Sequence, residues 1–349
     1  MKSSLVPPLA TPFGTPAATL AVRRELQQAN RELASGRHAD LGLTLAGRSA
    51  VLVDAHGQLT ELDGLRTDMS ISAGRLEVAQ RALAQMGAGA QEFLKSLAPL
   101  KSGQVSPQQV AAHARSLLRE FTGAVNVEAQ GSYVFGGRNI TEPPLADYLA
   151  EPPSAARLAV ENAFQARFGF PPGDPAAVGI SASDLADFLD NDLAPLFDGA
   201  AWDVTWSNAS DSGMRAPLGL NEAVEATASA NNPAIRKLAM AYVMAAGLGM
   251  ESFNGEARQV LVDRVLDATA NGIADVDRLR GDIGFRQERI SRARERLQAQ
   301  KNMVEKDIAG MEQVDLHEVA ARVNALSLRL ETSYTLTGRL QKLTLLRFL

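Results

Sequence analysis

Cysteine is absent from this chain of 349 residues, which excludes disulfides, thiolate catalysis and cysteine metal sites. Aromatic residues make up only 5%, which argues against a large enzyme core packed with Phe, Tyr and Trp. No apolar run is long enough to span a membrane; the most apolar stretch, near 239–250, falls short of the roughly 20 residues required. Leu5 to Thr11 is interrupted by Pro7 and Pro8, so a cleavable signal peptide is not expected. The net charge of -5 carries no nucleic-acid signature. Proline is missing from every position after Pro233. Such a stretch suits long uninterrupted helices, because proline costs about 3 kcal/mol in a helix interior.

What the chain has is Ala and Leu, within a hydrophobic fraction of 46%. That composition fits long helices and excludes general disorder. Ten of the 16 prolines fall between Thr141 and Ile235. The same interval holds fourteen acidic residues against three basic ones, Arg157, Arg167 and Arg215. An acidic, proline-rich middle therefore interrupts two helical arms.

Both arms repeat every seven residues, as helices do when an apolar stripe faces a partner helix. In the first arm, Leu52 and Leu59 form one series, and Ala55, Leu62, Met69, Leu76 and Leu83 the other. A further helix carries Val110, Ala114, Leu117, Phe121 and Val125, with Ser106 as N-cap and Pro107 in first place. In the second arm, Ile283, Ile290, Leu297 and Val304 keep strict spacing within a helix expected from about Gly255 to Met311. At about 1.5 Å per residue that helix is roughly 80 Å long. Asp315 to Glu318 reads as a capping box opening a last helix, whose stripe is Leu316, Val319, Val323, Leu326, Leu330 and Leu340. In the middle, short helices are expected at Ala155–Phe168 and Ser183–Phe197. Strands are expected at Trp202–Trp206 and Val224–Ser229.

The fold class expected is mainly α: a long antiparallel helical rod, formed by both terminal arms, with a small α+β domain inserted. The divisions are 1–40 (N-terminal segment), 41–138 (first arm), 139–220 (acidic insert), 221–312 (second arm) and 313–349 (C-terminal helix). Rod packing is assigned to Leu52, Leu59, Leu62, Met69, Leu76, Ile283, Ile290, Leu297 and Val304.

No catalytic constellation is present, and no cofactor or metal is expected. His38, His56, His113 and His317 never stand three or four apart, as helical zinc ligands would. Gly87-Ala-Gly89 and Gly247-Leu-Gly249 lack the rest of a dinucleotide loop. Asp184, Asp187, Asp190, Asp192 and Asp198 miss calcium-loop spacing. The run Arg286, Arg289, Arg292, Arg294 and Arg296 is interleaved with Glu288 and Glu295, the pattern of a solvated or interhelical face.

Specific segments carry a resemblance. Arg24 to Arg37, closing on Leu33-Ala-Ser-Gly-Arg37, resembles the early helix and turn of the flagellin superfamily. Gln130-Gly-Ser-Tyr-Val-Phe-Gly-Gly-Arg138 is similar to the Tyr-Leu-Phe-Gly-Gly element of its hook–filament junction branch (hook-associated protein 3). Glu312 to Ala320 resembles that family's Asp-x-Ala-Glu-Ala turn. Leu343-Thr-Leu-Leu-Arg-Phe-Leu349 resembles its tail. Trp206 to Ser210 and Arg236 to Tyr242 look like the alphaproteobacterial branch. Unlike the family's usual start, Pro7, Pro8, Pro12 and Pro16 delay the first helix until about Ala17.

The resemblance implies a structural subunit of the bacterial flagellum, exported unfolded by the flagellar type III apparatus and assembled outside the cell. Implied partners are hook-associated protein 1, flagellin, copies of itself and an export chaperone; neither nucleic acid nor membrane is among them. The expected assembly and chaperone surface is Leu316, Val319, Val323, Leu326, Leu330, Leu340 and Leu346. Because that stripe has no evident partner in the chain itself, Leu326→Asp is expected to spare the fold and abolish assembly. The alternatives are a minor flagellin, a cytoplasmic coiled-coil scaffold, or an enzyme built on the acidic middle.

Overall fold

A computed structural model describes residues 16–101, 104–219 and 222–345. The architecture is mainly α. Two helices dominate: α3 (Ser49–Lys101, 53 residues) and α9 (Gly255–Glu312, 58 residues). The other helices are α1 (Pro16–Ser35), α2 (Leu41–Leu45), α4 (Pro107–Val125), α5 (Ala155–Phe168), α6 (Ala182–Phe188), α7 (Gly199–Thr205), α8 (Pro233–Gly247) and α10 (Leu316–Leu345). Short 3-10 segments (Ala46–Arg48, Pro175–Gly179 and Ala194–Phe197) and a π-helical turn (Leu189–Leu193) accompany two antiparallel pairs of short strands: β1 (Glu128–Ala129) with β2 (Ser132–Tyr133), and β3 (Arg215–Pro217) with β4 (Ala223–Glu225).

The chain divides into two compact units. One joins Met1–Asp63 to Gln298–Leu349; the other is Gly64–Leu297. In the first, the start of α3 meets the end of α9. Leu45, Leu52 and Ile308 form a buried cluster, with Leu59, Val304 and Met311 packed against it. The pairing is antiparallel: Lys301 meets Asp63 at 2.7 Å, and Glu312 meets His56 at 2.9 Å. Leu62 is half-buried nearby in sequence.

In the second unit, Met69, Leu76, Leu83, Ile283, Ile290 and Leu297 are all buried. The Gln80 side chain donates to the Arg280 carbonyl across the α3–α9 contact at 2.6 Å. Helix α4 starts on a complete capping box, in which Ser106 and Gln109 satisfy each other's backbone N–H. Its buried face, Val110 to Val125, packs on α8. There Phe93, Phe121 and Tyr242 pack with ring centres 5.3 and 5.6 Å apart.

The acidic middle belongs to this same unit. One of its two expected strands is helical instead. Trp202 and Trp206 lie one turn apart at the end of α7, stacked at 5.3 Å, while Val204 between them is 81% exposed. Large residues at i and i+4 share a helix face, whereas at i and i+2 they would share a strand face. Asp198 caps the N-terminus of α7 and selects the helix. The other expected strand, Val224–Ser229, overlaps β4 only at Val224 and Glu225.

The segment Tyr133 to Gly137 ties the middle to the arms. Arg75 of α3, 5% exposed, donates to the Ser132 hydroxyl and to the Tyr133 carbonyl; burial lowers the pKa of its guanidinium. Val134 and Phe135 are buried. The Phe135 carbonyl accepts from Ala230, and the Gly136 carbonyl accepts from Ser210 and Asn139. A Cβ at Gly136 would stand 2.0 Å from the Asn139 carbonyl oxygen. At Gly137, with φ +63°, it would stand 2.2 Å from the Ser210 carbonyl oxygen. Backbone fills the space on both sides, so neither glycine can carry a side chain without displacing it. Gly136→Ala and Gly137→Ala are each expected to cost more than about 2 kcal/mol. Calorimetric melting of the full chain checks this; transitions matching the wild type would contradict the packing described.

Candidate assembly surface

The terminal helices α1 and α10 pair antiparallel within the first unit. Helix α1 begins at Pro16, next to the expected start, and stops where Gly36 takes φ +69° after Ser35. Helix α10 begins after Asp315, whose carboxylate accepts from the N–H groups of His317 and Glu318. The other half of the expected capping box is replaced, as the Glu318 carboxylate pairs with Arg322 at 2.9 Å. Between the helices, Val22, Ala29, Val319 and Leu326 form a buried cluster, flanked by Leu26, Val314, Val323 and Leu330. Polar contacts fix the register: Thr19 with Ser333 at 3.1 Å, Arg322 with Glu32 at 3.3 Å, and Arg23 over the Tyr334 ring.

The expected stripe is therefore largely covered by the chain's own first helix. Val319 and Leu326 are buried, and Val323 and Leu330 are partly so. Leu316 is 51% exposed. Leu340 belongs to α10, and Leu346 lies outside the described residues. Pairing of the N- and C-terminal helices was implied by the resemblance, but Val22, Leu26 and Ala29, which stand at helical spacing, were not singled out as the residues opposite this stripe.

A different face remains open. Leu328 is 66% exposed and Leu336 45%. Both line a groove of about 560 Å³, whose α1 side is Ala18, Ala21, Val22 and Glu25. Ala18 and Ala21 of α1 are too short to cover Leu328 and Leu336 of α10. Adjacent exposed apolar residues on a helix pair mark a surface that another helix can cover.

Elsewhere the charged clusters are spent on internal pairs. The basic run of α9 meets the middle segment: Arg286 pairs with Glu225 at 3.1 Å, and Arg289 and Arg296 both pair with Glu222. Of the aspartates considered for calcium, Asp190 pairs with Arg264, Asp198 with Arg236, and Asp187 and Asp192 with Arg167. Among the described residues, no group of three or more His, Asp or Glu is placed to hold a metal ion. None of the helices described is long and apolar enough to cross a membrane.

Leu326→Asp should not spare the fold, contrary to the expectation from sequence. It removes a burial worth about 1.5–3 kcal/mol, and desolvating an unpaired carboxylate adds a cost of several more. Amide exchange across α1 and α10 should accelerate strongly, with α4 and α8 unaffected. Unchanged exchange in α1 would mean that the two helices do not depend on each other.

The family model for the bacterial flagellin N-terminal helical region matches residues 17–140. The model for the bacterial flagellin C-terminal helical region matches residues 266–349. Together they span more than half of the chain. A comparison with curated proteins gave no match. Among solved structures, one assigned as a flagellar hook-associated protein from Vibrio parahaemolyticus is similar at 10% identity and a TM-score of 0.40. That alignment covers 85% of this chain and 98% of the other.

Proposed function

Because the chain belongs to the bacterial flagellin family, we propose that this structural subunit of the flagellum forms the junction between hook and filament. The observation that carries the assembly part is the open groove between α1 and α10, with Leu328 and Leu336 exposed along it. A neighbouring subunit's terminal helix would bury these leucines, and that gain recurs at every contact in a ring. The partners on this reading are copies of the same chain, hook-associated protein 1 on one side and flagellin on the other. An export chaperone would cover the apolar faces of α10 before assembly. The subunit would pass out of the cell unfolded and perform no chemistry.

The junction assignment rests on the Tyr133-Val-Phe-Gly-Gly137 element and the tail Leu343–Leu349, which resemble the junction branch. The element's buried position supports a structural role for it, since its backbone holds the middle segment to the arms. Deleting the gene tests the assignment. Loss of the subunit should release flagellin monomers into the medium; intact filaments in the deletion strain would favour a minor flagellin instead.

Leu328→Asp separates assembly from folding. The position is exposed in the single chain, so stability should change by less than about 0.5 kcal/mol. Assembly should fail, because the carboxylate would have to be desolvated against a neighbour. Cells carrying the variant should be non-motile and shed flagellin. Normal motility and filament retention would remove the groove from the assembly surface.

A further inference from the structure

The first unit contains two separate apolar clusters. One lies between α1 and α10, built on Val22, Ala29, Val319 and Leu326. The other lies between the start of α3 and the end of α9, built on Leu45, Leu52 and Ile308. They share no residue. Between them the chain crosses twice, through residues 36–40 and residues 313–315.

The two crossings lie side by side and bond to each other. Arg37 and Gln313 form an isolated antiparallel bridge. The His38 N–H donates to the Glu312 carbonyl at 2.9 Å, and the Val314 N–H donates to the Gly36 carbonyl at 3.1 Å. Gly36, in the left-handed region, lets the first crossing turn sharply out of α1.

Two buried carboxylates close the joint. Glu312, at the end of α9 and 6% exposed, pairs with Arg37 at 3.0 Å and with His56 of α3 at 2.9 Å. Glu32, near the end of α1 and 3% exposed, accepts from the Ala39 N–H at 3.2 Å and pairs with Arg322 of α10 at 3.3 Å. Each carboxylate thus ties one crossing to the helices on its own side of the joint. A buried carboxylate is tolerated only while it is paired, so the two fix the crossings in one arrangement. Apolar packing would resist bending in a continuous core. Here the two clusters share no residue, and backbone bonds and carboxylate pairs join the crossings, with Val314 the one connector residue packed on the α1–α10 cluster.

We propose that residues 36–40 and 313–315 form a latched hinge, with Glu312 and Glu32 as its two latches. Closed, the hinge holds the α1–α10 pair at one angle to the paired ends of α3 and α9 and so aims the groove-bearing face. Opened, it lets the terminal pair swing without disrupting either apolar cluster. The connector residues absorb the change, as in hinges generally. The hinge is a property of the single chain and does not depend on where the subunit sits in the flagellum.

The test uses the full chain with the double variant Glu312→Gln, Glu32→Gln, which keeps side-chain volume and removes the latching charges. Because the chain has no native cysteine, Val53→Cys and Asn324→Cys, both at exposed positions, accept a nitroxide pair that reports the angle as a distance. The wild type should give one narrow distance distribution. The double variant should broaden it or add a second peak, and amide exchange at the connectors should rise about tenfold or more. Exchange at Val22, Val319, Leu52 and Ile308 should stay protected. Glu77→Gln, which removes an exposed pair with Arg81, should change nothing. Should the double variant lose both clusters, Arg37→Gln with Arg322→Gln opens the same latches from their more exposed partners. A distribution as narrow as wild type in a folded variant, or melting of both clusters in every latch variant, would overturn the hinge.

Discussion

Neither apolar cluster of the first unit can form from one end of the chain alone. Each needs a helix from the beginning and a helix from the end. Thr19 meets Ser333 across 314 residues of sequence, and His56 meets Glu312 across 256. A single amphipathic helix gains little stability in water, because its stripe stays wet. Pairing removes that stripe from solvent, and it happens only when the two ends meet. In the first unit, where neither buried cluster contains an aromatic residue, this long-range pairing of Leu, Ile, Val and Ala supplies the core. The same pairing leaves one face of α10 uncovered: Val22 and Ala29 of α1 bury Val319 and Leu326, while Leu328 and Leu336 stay exposed.

Charge follows a similar logic in the second unit. The middle segment is strongly acidic, and α9 carries a run of arginines. Apart, each would look like a surface for a foreign partner. Folded, Glu222 and Glu225 take up Arg289, Arg296 and Arg286. These pairs are half-exposed and individually worth little, on the order of 0–1 kcal/mol. Their effect is to place these arginines against carboxylates of the same unit.

Much of the helical anatomy was legible because its signals are local. Ser106-Pro107 marks the start of α4 through a cap and a proline that needs no donor. The absence of proline after Pro233 permits α9, and Gly36 stops α1. The heptads gave the buried faces of α3 and α9 because periodicity reports which side of a helix is apolar. Periodicity does not report what covers that side. Val319 and Leu326 were therefore read as part of an assembly and chaperone surface, and in the single chain they pack with Val22 and Ala29 of α1. Leu328 was passed over because it stands off the stripe. Trp202 and Trp206 failed for a different reason: two large residues four apart fit a strand or a helix equally, and Asp198 as a cap decides between them. The bonding of Tyr133 to Gly137 was beyond reach, since its partners lie near Ser210 and Ala230.

The central claim is that α10 turns one face inward to α1 and offers another to neighbours. Thiol labelling of single-cysteine variants reads this directly, since each introduced cysteine is the sole one in the chain. In the isolated protein, Val319→Cys and Leu326→Cys should react at least about tenfold more slowly than Leu328→Cys and Leu336→Cys, as expected when access needs local opening. In intact flagella, Leu328→Cys and Leu336→Cys should become protected as well. Equal reactivity of all four in the isolated chain, or continued fast labelling of Leu328→Cys in flagella, would contradict it.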